Sequence, residues 1–202
     1  MSLRALSRRP VAIGIAVALW VPAVAVGLNI LWSYSNTPGR AAEPPLDFPH
    51  HAGVTPSRER ATLLMFVHPR CPCSDASIGE LAKLVASDGA KLDTSIFFFY
   101  PRHETPQWAH GELWTAAAAI PGVRVFDDKD GEIARRFGAL TSGQTLLYTQ
   151  NGRLRFRGGI TASRGHSGDN AGRSAISALL SNHQAVSEPI VTPVFGCSLT
   201  GE

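Results

Sequence analysis

The sequence predicts a three-layer α/β domain carried on a single N-terminal transmembrane helix. Three observations lead there. Val11 to Tyr34 is a run of 24 residues without a charge. From Ala61 onward, short apolar runs alternate with segments of helical periodicity, and two further apolar runs flank Asn151-Gly152, a strong hairpin signal. Strands alternating with helices predict an α/β domain. No internal repeat interrupts the pattern.

The charged residues exclude one function class. A pI near 9.0 invites a nucleic-acid reading, with 19 Lys and Arg against 16 Asp and Glu. However, Arg4, Arg8 and Arg9 all precede the first apolar run, so the chain beyond them is formally neutral. No basic stripe with interleaved aromatics exists, and nucleic acid is not an expected partner. Arg153, Arg155 and Arg157 alternate along one strand and mark its solvated face. The three cysteines are too few for a disulfide scaffold, and the C-x-x-C-H signature of covalent haem is absent.

In chain order, residues 1–10 form a cytoplasmic N-terminus and 11–34 the anchor. As a helix the anchor spans about 36 Å, enough for a hydrocarbon layer of about 30 Å. Trp20 lies within it, while Trp32 and Tyr34 close it where an interfacial belt belongs. A cleaved signal peptide is the rival reading, with Gly39-Arg40-Ala41-Ala42 as its small-residue site. The length of the run favours an uncleaved anchor. The Arg cluster sets the amino terminus inside and the remainder outside. Residues 35–60 carry prolines at 38, 44, 45, 49 and 56 and read as an extended tether. The pair His50-His51 sits in it as solvated linker.

Residues 61–183 are the domain. Ala61 to Val67 is a buried strand, His68-Pro69-Arg70 a turn, and Cys71-Pro72-Cys73 the start of a helix with apolar residues at 78, 81, 82, 85 and 86. Pro72 suits the first helical position, which puts Cys71 at the cap. Free N–H groups and the helix dipole there favour thiolate, the reactive form. Asp93 to Tyr100 is a second strand. Trp108 to Ile120 is a helix stopped by Pro121-Gly122, Val123 to Phe126 a short strand, and Asp130 to Phe137 a helix closed by Gly138. Thr145 to Thr149 and Arg153 to Ile160 form the hairpin. The loop Thr161 to Gly168 leads to a helix over Asn170 to His183, capped by Asp169. Residues 184–202 are a C-terminal tail containing Cys197. Its Ile190, Val191, Val194 and Phe195 predict docking on the domain, against the plainer reading of a stray thiol on a flexible tail.

A strand, a Cys pair on a helix start, a crossover strand, a hairpin and a terminal helix resemble the thioredoxin fold over 61–183. The chain is most similar to membrane-anchored, outward-facing bacterial members of the TlpA and ResA kind, or to a RedB-like branch. The resemblance implies a thiol–disulfide oxidoreductase in the bacterial cytoplasmic membrane, single-pass and facing the periplasm. It implies a protein or small-molecule thiol or disulfide as partner and no cofactor. Two departures stand out. The family's W-C-x-x-C is replaced by Pro69-Arg70-Cys71-Pro72-Cys73, with one residue between the thiols. Gln144 stands where the family places a cis-proline, and a cis bond there costs about 2.5–4 kcal/mol, so trans geometry is expected. The family's buried acidic residue is not visible in Ala61 to Val67.

The candidate catalytic residues are Cys71, Cys73, Cys197 and His166. Cys71 attacks, and Cys73 or Cys197 resolves. A disulfide over one intervening residue is a distorted ring and easily reduced. Docking of the tail beside the first helix of the domain would bring Cys197 to Cys71 or Cys73. His166 lies in a loop that borders the cysteines in such folds and is placed to take a proton from a thiol; the plainer reading is a glycine loop that caps a helix. His68, charged, would stabilise a thiolate. The alternative function is a Sco-like copper carrier with Cys71, Cys73, Cys197 and His166 as ligands, His103 and His110 being further available imidazoles. A third reading is a fold that only binds a partner.

Overall fold

The apolar run Ala61–Val67 forms β1, the strand around which the sheet is built, with every residue from Thr62 to Val67 buried. The computed structural model describes residues 4–50, 52–181 and 188–199. After β1 come α2 (Cys73–Asp88), β2 (Leu92–Tyr100), α3 (Glu112–Ala118), β3 (Val123–Lys129), α4 (Glu132–Arg136), β4 (Gln144–Tyr148), β5 (Leu154–Gly158), α5 (Ala171–Ser181) and β6 (Ile190–Val191). The sheet order is β3-β2-β1-β4-β5-β6. β1, β2 and β3 are parallel, β4 is antiparallel to β1, and β5 is antiparallel to β4. This is the thioredoxin-like three-layer sandwich that the element order predicts.

Alternation along β1 makes the layers. Leu63, Met65 and Val67 face a cluster with Ile78, Leu81 and Leu84 of α2, Ala117 of α3 and Ile176 of α5. Leu64 and Phe66 face the opposite cluster, with Phe97, Phe137, Leu146 and Tyr148 and with Ala134 of α4. Period-two alternation with both faces apolar requires cover on both sides. On β5, Leu154 and Phe156 are buried while Arg155 and Arg157 alternate with them and are half-buried. The expected solvated face is covered at Arg157, whose guanidinium donates to the Ala42 carbonyl at 3.2 Å and pairs with Glu43 at 2.8 Å.

The N-terminal helix, α1 (Arg4–Asn36), belongs to a separate unit that ends at Thr37. Its part Pro10–Asn36 is long and apolar enough to cross a membrane. The last turn is closed by the Asn36 amide on the Trp32 carbonyl and the Thr37 hydroxyl on the Ser33 carbonyl.

Several local expectations change. The helix expected over Trp108 to Ile120 is split into a 3-10 turn, Pro106–Trp108, and α3, because Gly111 is extended between them. Asn170, not Asp169, caps α5: its Oδ1 accepts the Arg173 N–H at 2.7 Å. His51, residues 182–183 of the expected helix, the start of the tail and its end beyond Leu199 lie outside the described residues.

The largest change concerns residues 35–60. From Pro38 onward the expected tether belongs to the domain unit. Phe48 is buried against Phe137 and Tyr148, with ring centroids 5.1 Å from each. The Tyr148 hydroxyl donates to the Pro45 carbonyl at 3.0 Å, and the Leu154 N–H donates to Leu46. Proline-rich backbone is pre-set to be extended, so it can lie along the hairpin at little entropic cost while Phe48 buries its ring. The tail also adds a strand that sequence reading does not foresee, β6, parallel to β5.

Candidate functional site

The site lies where β1 ends. The Cys71 N–H donates to the His68 carbonyl at 3.1 Å, and the Ser74 N–H donates to the Cys71 carbonyl at 3.0 Å. Pro72 has helical dihedrals and is itself the residue that caps α2, so Cys71 stands one position ahead of the cap. Its sulfur still receives the end of the helix: the Cys73 backbone N–H and the Ser74 side chain both hydrogen-bond to it. Cys71 is 1 % exposed and Cys73 8 %.

The tail completes the site. The Cys197 sulfur lies 3.0 Å from the Cys71 sulfur, and the Cys197 N–H points at the same atom at 3.4 Å. An antiparallel pairing holds it there. The Ser142 N–H donates to the Cys197 carbonyl at 2.8 Å and the Leu199 N–H to the Leu140 carbonyl at 2.9 Å, around the Thr141–Ser198 bridge. Leu199 is buried in the α4-side cluster, and Val194 and Phe195 are buried on the way in. At Gly196 a Cβ would sit 2.0 Å from the Ser142 carbonyl oxygen, so only glycine lets the tail approach this closely.

The edge that receives the tail is the one carrying Gln144. Among the described residues no peptide bond is cis, in line with the expected trans geometry. The Gln144 side chain ties the preceding loop, accepting from the Leu140 N–H and donating to the Gly138 carbonyl. Ser142 binds the other side of the site: its hydroxyl accepts the His68 N–H at 2.7 Å and shares a 2.7 Å hydrogen bond with the Ser74 hydroxyl.

These contacts separate the three thiols. Burial alone pushes the Cys71 thiol up, but the hydrogen bonds from Cys197, Ser74 and the Cys197 and Cys73 backbones outweigh it. Its pKa is lowered. Burial and then the Cys71 charge push Cys73 up, against the opposing Arg164 charge. Burial and the contact with Cys71 push Cys197 up to about 12. Of the three thiols, Cys71 is thus the one whose thiolate form is favoured by its surroundings, and Cys73 and Cys197 are the two held toward the thiol.

His166, expected at the cysteines, is exposed, and its backbone N–H donates to the Ser163 carbonyl. Among the described residues no contact joins its imidazole to a thiol. From the same loop it is Arg164 that reaches the site. Its guanidinium donates to the Gly196 carbonyl and faces both Cys73 and Cys197. The loop is anchored from below by Glu80, whose side chain is fully buried. Glu80 accepts from the Gly168 N–H at 2.9 Å and the Asn170 amide at 3.2 Å, and pairs with Lys83 and Arg173. This buried acid comes from α2 rather than from β1.

His68 is not the charged group that would stabilise a thiolate. It stacks on Phe99 with centroids 5.5 Å apart, and its Nδ1 accepts the Arg70 N–H. Burial and then the Arg70 charge lower its pKa, so the imidazole is neutral. Arg70 lies over Trp108, 4.1 Å from the ring centre. Beside it runs an open groove of about 420 Å³ that touches Cys71 and Pro72 and is walled by Glu112 and Leu113.

The copper alternative needs Cys71, Cys73, Cys197 and His166 as one ligand set. Among the described residues no three His, Cys, Asp or Glu side chains are grouped to hold a metal ion. His103 and His110 do not supply the missing ligand, since His110 pairs with Asp127 at 3.0 Å and His103 lies in the exposed Pro101–Thr105 turn. The four-residue ligand set that includes His166 is therefore not assembled among the described residues.

Comparison with known proteins bears on the fold. No family model and no curated protein matches the sequence. An uncharacterized conserved protein from Geobacillus kaustophilus is similar in structure at a TM-score of 0.57 and 18% identity, over 83% of this chain and 93% of that one. A hypothetical protein from Sinorhizobium meliloti reaches 0.52 at 20% identity, over 81% and 94%. The likeness runs through nearly the whole of both proteins, and at these identities it is a likeness of fold.

Proposed function

We propose that this chain is a membrane-anchored thiol–disulfide oxidoreductase of the thioredoxin-like superfamily, with its domain outside the cytoplasm. Cys71 is the nucleophile, and Cys197 is the thiol that closes a disulfide with it. The observation that carries this reading is the 3.0 Å approach of the two sulfurs at a helix start that stabilises the Cys71 thiolate. In the reducing direction, the Cys71 thiolate attacks a partner disulfide and one partner thiolate leaves. Cys197 then attacks the Cys71 sulfur of the mixed disulfide, the second partner thiolate leaves, and the Cys71–Cys197 disulfide remains. Two electrons pass to the partner; in the oxidising direction a partner dithiol opens the Cys71–Cys197 disulfide and leaves as a disulfide. Cys73 contacts Cys71 and is the second thiol able to exchange with it.

Support for the anchor is the apolar stretch Pro10–Asn36, preceded by the Arg cluster. The full-length protein in detergent, reduced and then mixed with oxidised glutathione, should release two equivalents of glutathione per chain and form an internal disulfide. Cys71→Ser should abolish this release. Equal release by wild type and Cys71→Ser defeats the assignment. An alkaline phosphatase fused after the domain should be active and sediment with membranes; an inactive fusion overturns the orientation, and a shortened soluble product the anchor.

A further inference from the structure

In the oxidised state two sulfurs of one disulfide are open to attack, and they are not equivalent in space. Cys71 lies beneath the docked tail and is 1 % exposed, although one wall of the Arg70 groove touches it. Cys197 lies on the outer strand of the pairing and is partly exposed. The Leu140–Ser142 edge beside Cys71 is filled by the tail's own backbone, so a partner cannot reach Cys71 by adding a strand there. Arg164, at Gly196, sets a positive charge next to Cys197, where an arriving thiolate is favoured.

We propose that an incoming thiol opens the Cys71–Cys197 disulfide by attacking the sulfur of Cys197, so that the mixed disulfide forms on the tail and not on the buried nucleophile. This rests on the oxidoreductase reading and assigns the site of exchange within it. The partner thiolate bonds to Cys197, the Cys71–Cys197 bond breaks, and Cys71 departs as thiolate. A second partner thiolate attacks the partner sulfur on Cys197 and releases the oxidised partner. Cys197 takes a proton, and the protein ends with both cysteines reduced. Exchange rate depends on which sulfur is reachable and on how well the other leaves. Both favour this direction: the sulfur within reach is that of Cys197, and the departing Cys71 is received by the Cys73 N–H and Ser74. The partner this site suits is a thiol on a small molecule or a flexible chain end, because the Leu140–Ser142 edge beside Cys71 is already taken by the tail.

The test uses the oxidised full-length protein in detergent. Non-reducing peptide mapping first establishes the Cys71–Cys197 disulfide. Limiting reduced glutathione is then added, the reaction is acid-quenched at successive early times, and free thiols are alkylated and mapped. At the earliest times glutathione should sit on Cys197 over Cys71 by roughly tenfold or more, with Cys71 alkylated. The same preference should hold in Cys73→Ser, which excludes internal reshuffling as its source. Glutathione on Cys71 at the earliest times overturns the proposal while leaving the oxidoreductase reading intact. Absence of the Cys71–Cys197 disulfide before glutathione is added overturns that reading itself.

Discussion

Cys71 and Cys197 are separated by 126 positions in the chain and by 3.0 Å between their sulfurs. Oxidation should therefore link these two and leave Cys73 to be alkylated. In the chain-entropy account, closing so long a loop stabilises the fold by about 4–5 kcal/mol. The oxidised wild type should melt on the order of 10 °C above oxidised Cys197→Ser. A Cys71–Cys73 disulfide in the wild type, or equal melting temperatures, would refute the pairing.

The direction of the thiol shifts makes a prediction for the reduced protein. Ultraviolet thiolate absorbance should show one cysteine ionising below the ordinary value of 9.0, and Cys71→Ser should lose that step. Because its folded pKa is lowered, Cys71 adds stability that is present above its unfolded pKa and is lost as pH falls through the folded one. Cys73 and Cys197 act in the opposite sense. Their contribution is complete below 9.0 and is lost as pH rises toward the raised value of about 12 for Cys197. All three thiols ionising together above 9 would contradict this ordering.

Gly196→Ala should dislodge the tail without unfolding the domain. The new Cβ meets the Ser142 carbonyl oxygen at 2.0 Å, and backbone on both sides cannot yield cheaply. Overpacking of this kind costs about 1–3 kcal/mol, which shifts the docking equilibrium by roughly five- to 150-fold. Disulfide closure should slow accordingly, and Cys71 should label faster with a maleimide. Unchanged closure and labelling would mean that the tail is held by other contacts.

Phe48→Ala tests whether residues 38–60 are part of the fold. Removing a buried aromatic ring costs about 3–5 kcal/mol, so the variant should unfold at distinctly lower denaturant. A change below about 1 kcal/mol, the level of an ordinary surface substitution, would return the segment to the status of a tether.

The sheet and its connections are legible in the sequence because they are written locally. The seven-residue run Ala61–Val67 with its six apolar side chains, the Asn151-Gly152 turn and Gly138 each act within a few positions. The tail's apolar residues announced docking, but its address is set by Ser142 and Leu140, more than 50 positions upstream, and no local pattern records a pairing partner. Gly196 looks like a loop glycine until the Ser142 carbonyl is placed against it. The prolines of 38–60 imitate a tether, and only Phe48 among them hints at burial. His166 and Arg164 share one loop, and sequence alone does not decide which side chain turns inward; the guanidinium, reaching two bonds further than an imidazole, donates to the Gly196 carbonyl.

The separation between Cys71 and Cys197 also sets an order of events during synthesis. At about 5–20 residues per second, the nascent chain carries Cys71 for roughly 6–25 s before Cys197 is made. Only late in that interval, once Gly158 has been made, can β1 through β5 pair; even then the Leu140–Ser142 edge has no tail to receive, and Cys73 is the only other cysteine the chain yet carries. Each newly made molecule thus passes through a stage with an uncovered Cys71 and a Cys-Pro-Cys pair, and acquires its covered, three-thiol form only once the tail has emerged.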